Sequence, residues 1–251
     1  MAMIWLSVLL STLAFWGSAI RRRSPYSYET TAPTRQWADH PIKLDDLLIV
    51  SATHMALLHN SLIRGYNSIV LQAPHVREED KADFAGYSKT WVRFIKSHHD
   101  DEEDVLFPEM KSMLNDQHVW GDSYKEHESF LDGLKELESY LCALPNASAW
   151  TAGALLERMD SFRKPLEHHL HHEVSVMAAM AAHPNAPQRD SLQGAVASGL
   201  LKAWGKNTVR KAGLSDVVPF FLLNADGTAE GGLWRAWPPM PRPVRWGMVN
   251  L

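Results

Sequence analysis

The sequence predicts an all-α protein: an antiparallel up-down four-helix bundle with an N-terminal hydrophobic helix and a Pro/Trp-rich C-terminal extension. Three observations predict this fold. Apolar side chains recur with helical spacing through residues 43–182, and the segments are joined by short connections. In addition, each of the four segments carries one histidine on its apolar stripe.

The composition is that of an ordinary globular protein. Of 251 residues, 45% are apolar and 22% are charged, which excludes wholesale disorder and a multi-span membrane protein. The net charge of −4 provides no basic surface for nucleic acid, so no nucleic-acid partner is expected. The single cysteine, Cys142, excludes an internal disulfide and a cysteine-based zinc site. The high number of histidines, 13, is the most informative feature of the composition.

The N-terminus predicts a membrane anchor. Residues 1–20 carry no charged side chain and are followed by three arginines. About 20 apolar residues in a helix can span the hydrocarbon core, and the cationic flank places the following domain in the cytosol. We therefore expect residues 1–23 to be a transmembrane or signal-anchor helix and residues 24–42 to be a linker. The alternatives are a cleaved signal peptide with a secreted or lumenal domain, and a buried or interfacial helix.

The bundle is predicted from four helices, which span roughly 43–72, 80–113, 119–143 and 151–182. Pro165 predicts either a kink in the fourth helix or the start of its inner half. The extension, residues 183–251, is predicted to contain a helix near 190–206 and to pack on the bundle.

Six ionisable side chains fall on the inward stripes of these helices. The four histidines are His59, His98, His127 and His169. On the second and fourth helices a glutamate, Glu102 or Glu173, follows the histidine by four residues and so shares its face.

A buried carboxylate is costly unless it is paired, protonated or bound to metal. A pair of metal ions would satisfy all six side chains at once, and mixed imidazole and carboxylate ligation suits iron, and less specifically manganese or zinc.

The register on the second helix is open, because His99 and Glu103 have the same spacing as His98 and Glu102. The apolar face favours His98 and Glu102. We expect the neighbouring side chains to lie mainly on a solvated face, with a supporting role behind the ligands as the alternative: these are His99, Glu103, His168, His171 and His172. Tyr66 and Tyr124 are expected to pack in the core.

At these residues the chain resembles the hemerythrin-like (HHE cation-binding) family, over about residues 45–182. The motifs are His59-Asn60-x-Leu62, His98-His99-Asp100-Asp101-Glu102-Glu103, Glu126-His127 and His169-Leu170-His171-His172-Glu173. The stretch around the first motif and the Val-Pro-Phe-Phe-Leu-Leu stretch, Val218–Leu223, are similar to fungal members.

The resemblance implies a non-haem centre of two iron ions (Fe2+/Fe3+), bridged by the two carboxylates and an oxo or hydroxo group and capped by the histidines. It implies O2, NO or a small-molecule substrate as the partner. Oxygen-carrying members place five histidines on the irons, but the position one turn after His127 is Leu131 here. Four histidines and two glutamates resemble the iron-repair and NO-responsive branch, and predict an open coordination position.

Three functions stay open from the sequence. The first is a di-iron protein that binds or reacts with O2 or NO, or handles iron. The second is a membrane-tethered di-iron oxygenase or oxidase acting on a lipophilic secondary metabolite. The third is a metal-free helical interaction module.

Overall fold

The computed structural model describes residues 46–250. All regular elements in that range are helical, which confirms the predicted all-α class. The predicted anchor (residues 1–23) and linker (residues 24–42) lie outside the described residues. Between residues 46 and 250, no helix has both the length and the apolar character needed to cross a bilayer.

The helices are numbered here in chain order. They are α1 (Leu47–Gln72), α2 (Lys81–Asp101), α3 (Phe107–Leu114), α4 (Ser123–Ala143), α5 (Ala152–Ser161), α6 (Arg163–Ala179), α7 (Leu192–Ala212), α8 (Val217–Asn224), α9 (Ala229–Gly232) and α10 (Arg242–Asn250). A π-turn, Glu102–Leu106, joins α2 to α3, and short 3-10 turns span Ala73–His75, Glu78–Asp80 and Met180–Ala182.

The N-terminal ends of α1 and α4 are set by local capping and turn chemistry. Asp46 caps α1, because its Oδ1 accepts from the backbone N–H groups of Leu48 and Ile49. The third predicted helix starts at residue 123 rather than 119, because residues 117–122 form turns. Gly121 takes a positive φ of 52° there, which glycine adopts at little cost.

The fourth predicted helix is two helices, α5 and α6, interrupted at Phe162 (φ −113°, ψ 7°). Pro165 lies in the first turn of α6, where its missing N–H cannot bond the carbonyl of Ser161. Of the two readings of this proline, the start of the inner half-helix is the observed one.

The four histidine-bearing helices surround one interior. Helix α1 contacts α2 and α6, and α4 also contacts α2 and α6. The interior holds two apolar clusters. One includes Tyr66, Trp91 and Phe130, and the other includes Met55 and Phe107. Along the chain, the predicted ligands lie near the boundary between residues of one cluster and residues of the other, so the polar site is enclosed between two apolar layers.

The C-terminal extension contacts the bundle through α7 and α8, and both of these helices pack on α1 and α2. Ser61 Oγ donates to the Phe221 carbonyl at 3.1 Å. Gly65 on α1 allows the approach, since a Cβ there would lie 2.5 Å from Phe220 Cζ and 2.9 Å from Trp91 Cδ1.

Gly65→Ala is therefore expected to destabilise the protein by about 1–3 kcal/mol, the usual cost of overpacking a close contact. The matched control is Gly86→Ala, in α2, where a Cβ would meet nothing within 4 Å. That change should be neutral or stabilise by about 0.5–1 kcal/mol, because alanine is the better helix former. Urea unfolding of both variants measures the difference. Equal stabilities would contradict close packing of α8 on α1.

Candidate metal centre

The structure brings all six predicted site residues together in the interior. Each of the six is fully buried, with 0% relative exposure: His59, His98, Glu102, His127, His169 and Glu173. Together with His99 they form two groups, and within each group the potential ligand atoms lie within 4.8 Å of one another. One group is His59, His98, Glu102 and Glu173, and the other is His99, Glu102, His127 and His169.

His99 corrects the expectation that it lies on a solvated face. It is 2% exposed, and its ring centroid is 4.5 Å from that of His127, 5.0 Å from that of His169 and 4.9 Å from that of Phe130. Both histidines of the adjacent pair thus enter the site. Only one of the two candidate glutamates does, because the Glu103 side chain is 39% exposed.

The two buried glutamates each reach both groups. Glu102 Oε1 is 3.0 Å from His98 Nε2, and Glu102 Oε2 is 3.8 Å from His127 Nε2. Glu173 Oε2 is 3.4 Å from His59 Nε2 and 3.5 Å from His169 Nε2. Both carboxylates therefore lie between the histidines of the two groups.

The π-turn keeps the second helix pointed at the site. Five positions at steps of four residues are all fully buried: His98, Glu102, Leu106, Met110 and Leu114. In a regular α-helix each step of four overshoots a turn by about 40°, so this line would rotate out to solvent. The wider turn, in which Phe107 N–H bonds Glu102 O, underwinds the helix and offsets part of that drift.

Three of the histidines are oriented by acceptors on their outer nitrogen. His59 Nδ1–H donates to the Leu170 carbonyl at 2.7 Å. His127 Nδ1–H donates to Glu103 Oε1 at 2.6 Å, and His169 Nδ1–H donates to Glu126 Oε2 at 3.2 Å. This arrangement fixes the tautomer and leaves each Nε2 lone pair pointing inward, as in metal sites where a ligand histidine donates its other N–H.

The facing rings of His127 and His169 indicate whether a cation fits between them. Their Nε2 atoms are 3.2 Å apart, and with both Nδ1 atoms protonated neither Nε2 carries a hydrogen. Two lone pairs at that distance repel, whereas a cation between them converts the contact into ligation. Two nitrogens each about 2.1 Å from one metal ion, at roughly a right angle, lie about 3 Å apart.

The buried carboxylates also indicate that the site accommodates cations. Among residues 46–250, neither oxygen of Glu102 or of Glu173 has a hydrogen-bond partner, and both nitrogens of His99 are also unpartnered. Buried polar atoms are normally satisfied, and a group of this size without partners requires an explanation. A pair of cations supplies one, so the residues present fit the predicted centre.

Burial keeps the imidazoles neutral and available as ligands. Desolvation lowers the pKa of His59 to about 3 and that of His169 to about 4. It also lowers the pKa values of His98 and His99 well below the ordinary range for histidine. Neutral rings keep the lone pairs that metal ligation needs.

Burial acts on the carboxyl groups in the opposite sense. Desolvation raises the pKa of Glu173 to about 8. It raises the pKa of Glu102 well above its usual value, and the nearby Glu173 carboxylate adds to the effect. Without a cation, both groups hold protons that they would have to lose on metal binding.

The extension also fixes the residue that precedes Glu102. Asp101 is buried at the end of α2, where its carboxylate accepts from Thr208 Oγ1 and from Lys211 Nζ, the latter at 2.8 Å. Trp204 Nε1 donates to the Asp101 carbonyl at 3.4 Å. Helix α7 therefore holds the first residue of the π-turn region in place.

Comparison with known proteins agrees with the geometry. A family model described as the Hemerythrin HHE cation binding domain matches residues 51–181. The chain belongs to this family. It is also 34% identical over 135 residues to the "Dimeric xanthone biosynthesis cluster protein R11" of Cryptosporiopsis sp. (strain 8999), which covers 53% of this chain and 51% of that protein. The chain thus spans about half the length of the curated relative it matches. No solved structure matches it.

The family assignment confirms the resemblance seen in the motifs. Sequence reasoning favoured a solvated face for His99, which enters the site of this hemerythrin domain, and did not anticipate that Glu126 orients His169. For Glu103, the alternative of a supporting role is the observed one, because Glu103 orients His127. The four-residue steps from His98 to Leu114 were a usable signal for the π-turn. The partners of Nδ1 had no such signal, since they depend on how neighbouring helices face each other.

We expect metal binding by this hemerythrin domain to release protons. The number of protons released per chain should fall as the pH rises. The Glu173 carboxyl, with its pKa near 8, is protonated near pH 6.5 and mostly ionised at about pH 9, while the histidines are neutral throughout. Calorimetric titration with Zn2+ in two buffers of different ionisation enthalpy should give about two protons per chain near pH 6.5 and fewer at about pH 9. A proton count that rises with pH would contradict this assignment.

Proposed function

We propose that this chain is a non-haem di-iron hemerythrin that binds O2 or NO at two adjacent iron positions inside an up-down four-helix bundle. The observation that carries the proposal is the pair of four-residue groups that share Glu102. The bundle topology is supported by the order of the two apolar clusters, which alternates between α1, α2, α4 and α6.

The first iron position would be held by His59, His98 and the two glutamates, and the second by His99, His127, His169 and Glu102. When bound, the two irons supply reversible one-electron chemistry toward small diatomic molecules. Glu102 and Glu173 would offset their charge, and the neutral imidazoles would complete each position.

The protein's own side chains would orient the ligands and exclude water. Glu103 and Glu126 hold the His127 and His169 rings from outside. The rings of Phe107 and His127 stack with their centroids 5.5 Å apart, and Phe130 packs on His99 and His169. A dry apolar wall favours the binding of an apolar diatomic molecule over side reactions with water.

His99 changes the expected chemistry of the second position. Leu131 stands where oxygen-carrying members have a histidine, and that loss predicted an open coordination position. His99 approaches the same group from α2 instead. We infer that it takes the place of the lost ligand and restores a set of five histidines, which favours diatomic binding over an exposed reactive position.

A second function is favoured by the relative's printed name, which places that protein in a xanthone biosynthesis cluster. By extension, this chain would be a di-iron oxidase or oxygenase acting on a lipophilic secondary metabolite.

The test exposes the anaerobically Fe2+-loaded protein to O2 while absorption and dissolved O2 are followed. A spectral change that reverses when O2 is removed supports the binder. Net O2 consumption without reversal supports the oxidase. A protein that retains no iron would instead favour the third function, a metal-free interaction module.

A further inference from the structure

A second cluster of metal-ligating side chains lies outside the buried centre. His168 and His172 are one turn apart on α6, and Glu126 projects toward them from α4. One ligand atom from each of the three lies within 4.8 Å of the others. His168 is 67% exposed and His172 is 41% exposed, whereas the Glu126 side chain is 11% exposed.

Glu126 uses its two oxygens in different directions. Oε2 accepts from His169 Nδ1 on the inner side, at 3.2 Å. Oε1 points outward, 2.6 Å from His172 Nδ1 and 3.4 Å from His168 Nε2. The outer oxygen is therefore available to a cation while the inner one keeps its hold on His169.

The two histidines are arranged for a shared ligand. Their spacing of four residues places both on one helix face, and their rings lie parallel, with centroids 5.4 Å apart and 17° between planes. Two histidines one helical turn apart, completed by a carboxylate from another element, form a three-ligand set that proteins use for Zn2+. Exposure to solvent leaves room for water as the remaining ligand.

The geometry points to a third metal site, at the protein surface, in which Glu126 Oε1, His168 Nε2 and His172 Nδ1 bind one divalent transition-metal cation. Imidazole nitrogen with a single carboxylate favours zinc, iron, cobalt or nickel over calcium and magnesium, which take mainly oxygen ligands. On binding, the proton that His172 Nδ1 shares with Glu126 moves to the exposed Nε2, where water accepts its hydrogen bond.

The surface site shares only Glu126 with the surroundings of the buried centre, because Glu126 also orients His169. The test therefore leaves Glu126 in place and uses two backgrounds of the full chain. Zn2+ alone is the probe, and zinc retained at equilibrium dialysis is counted by elemental analysis. His168→Ala/His172→Ala should bind about one Zn2+ fewer than the unsubstituted protein. His118→Ala, which removes another exposed histidine, should bind the same amount. Because the changes are on the surface, the fold should be unaffected, and circular dichroism checks this.

The same comparison in Glu102→Ala/Glu173→Ala separates the two claims. The difference of about one Zn2+ should persist there, whatever metal the buried centre has lost. Equal zinc content with and without the surface histidines, in both backgrounds, would overturn the surface site and leave the di-iron proposal standing. If the difference were retained while the buried centre of the protein with both glutamates intact bound no metal, the surface site would stand and the di-iron proposal would be overturned.

Discussion

Glu102→Ala is expected to lower the iron content from about two ions per chain to less than one, because Glu102 belongs to both ligand groups and its oxygens reach toward both. Glu173 also approaches a histidine of each group, but among the described residues Glu102 alone is a member of both. Iron is measured by elemental analysis after anaerobic loading and desalting, and circular dichroism reports the helices.

The matched control for this prediction is Glu103→Ala, one residue further along the same π-turn. Glu103 contacts His127 Nδ1 from outside and is not a member of either group. Its loss should weaken metal affinity by about 10–100-fold, the usual effect of removing a partner of a ligand histidine, while two irons still bind at saturation. If Glu103→Ala emptied the centre and Glu102→Ala did not, the alternative register would be correct.

His99→Ala is expected to reduce the retained iron to about one ion per chain, because the second position would keep only His127, His169 and the shared Glu102. The first position does not include His99 and should stay filled. His118→Ala, at an exposed histidine, should retain about two. Two firmly held irons in His99→Ala would show that its burial is structural and not ligation.

A rescue variant strengthens this test. Leu131 lies one turn after His127, at the position where oxygen-carrying members supply a histidine. Leu131→His in the His99→Ala background should return the second iron, because it offers a nitrogen to the same group from α4. If His99→Ala loses the second iron and Leu131→His does not restore it, the argument that one histidine substitutes for the other would be contradicted.

The inward stripes were predictable because helical periodicity fixes which side chains share a face. That rule placed His59, His127 and His169 in the interior, along with both buried glutamates. It assumes a regular 3.6-residue turn, so by itself it does not predict the π-turn at Glu102–Leu106, which only the four-residue steps from His98 to Leu114 indicate. It also allowed only one of two adjacent histidines to face inward, and His99 was misplaced for that reason.

Other features depend on contacts between segments distant in sequence. The break at Phe162 and the late start of α4 reflect local turn geometry that periodicity does not encode. The contacts that Thr208 and Lys211 make with Asp101 join residues about a hundred positions apart. Such contacts decide how firmly the site is held, and a single sequence does not specify them.

The most direct test of the central claim is the iron content of the full-length protein, produced with iron available and desalted without chelator. The measurement is made in the His168→Ala/His172→Ala variant, so that the proposed surface site does not contribute. We predict about two irons per chain, matching the two buried ligand groups. A folded protein that retains no metal would contradict the account, because the unpartnered glutamates and the facing imidazoles would then have no cation to satisfy them.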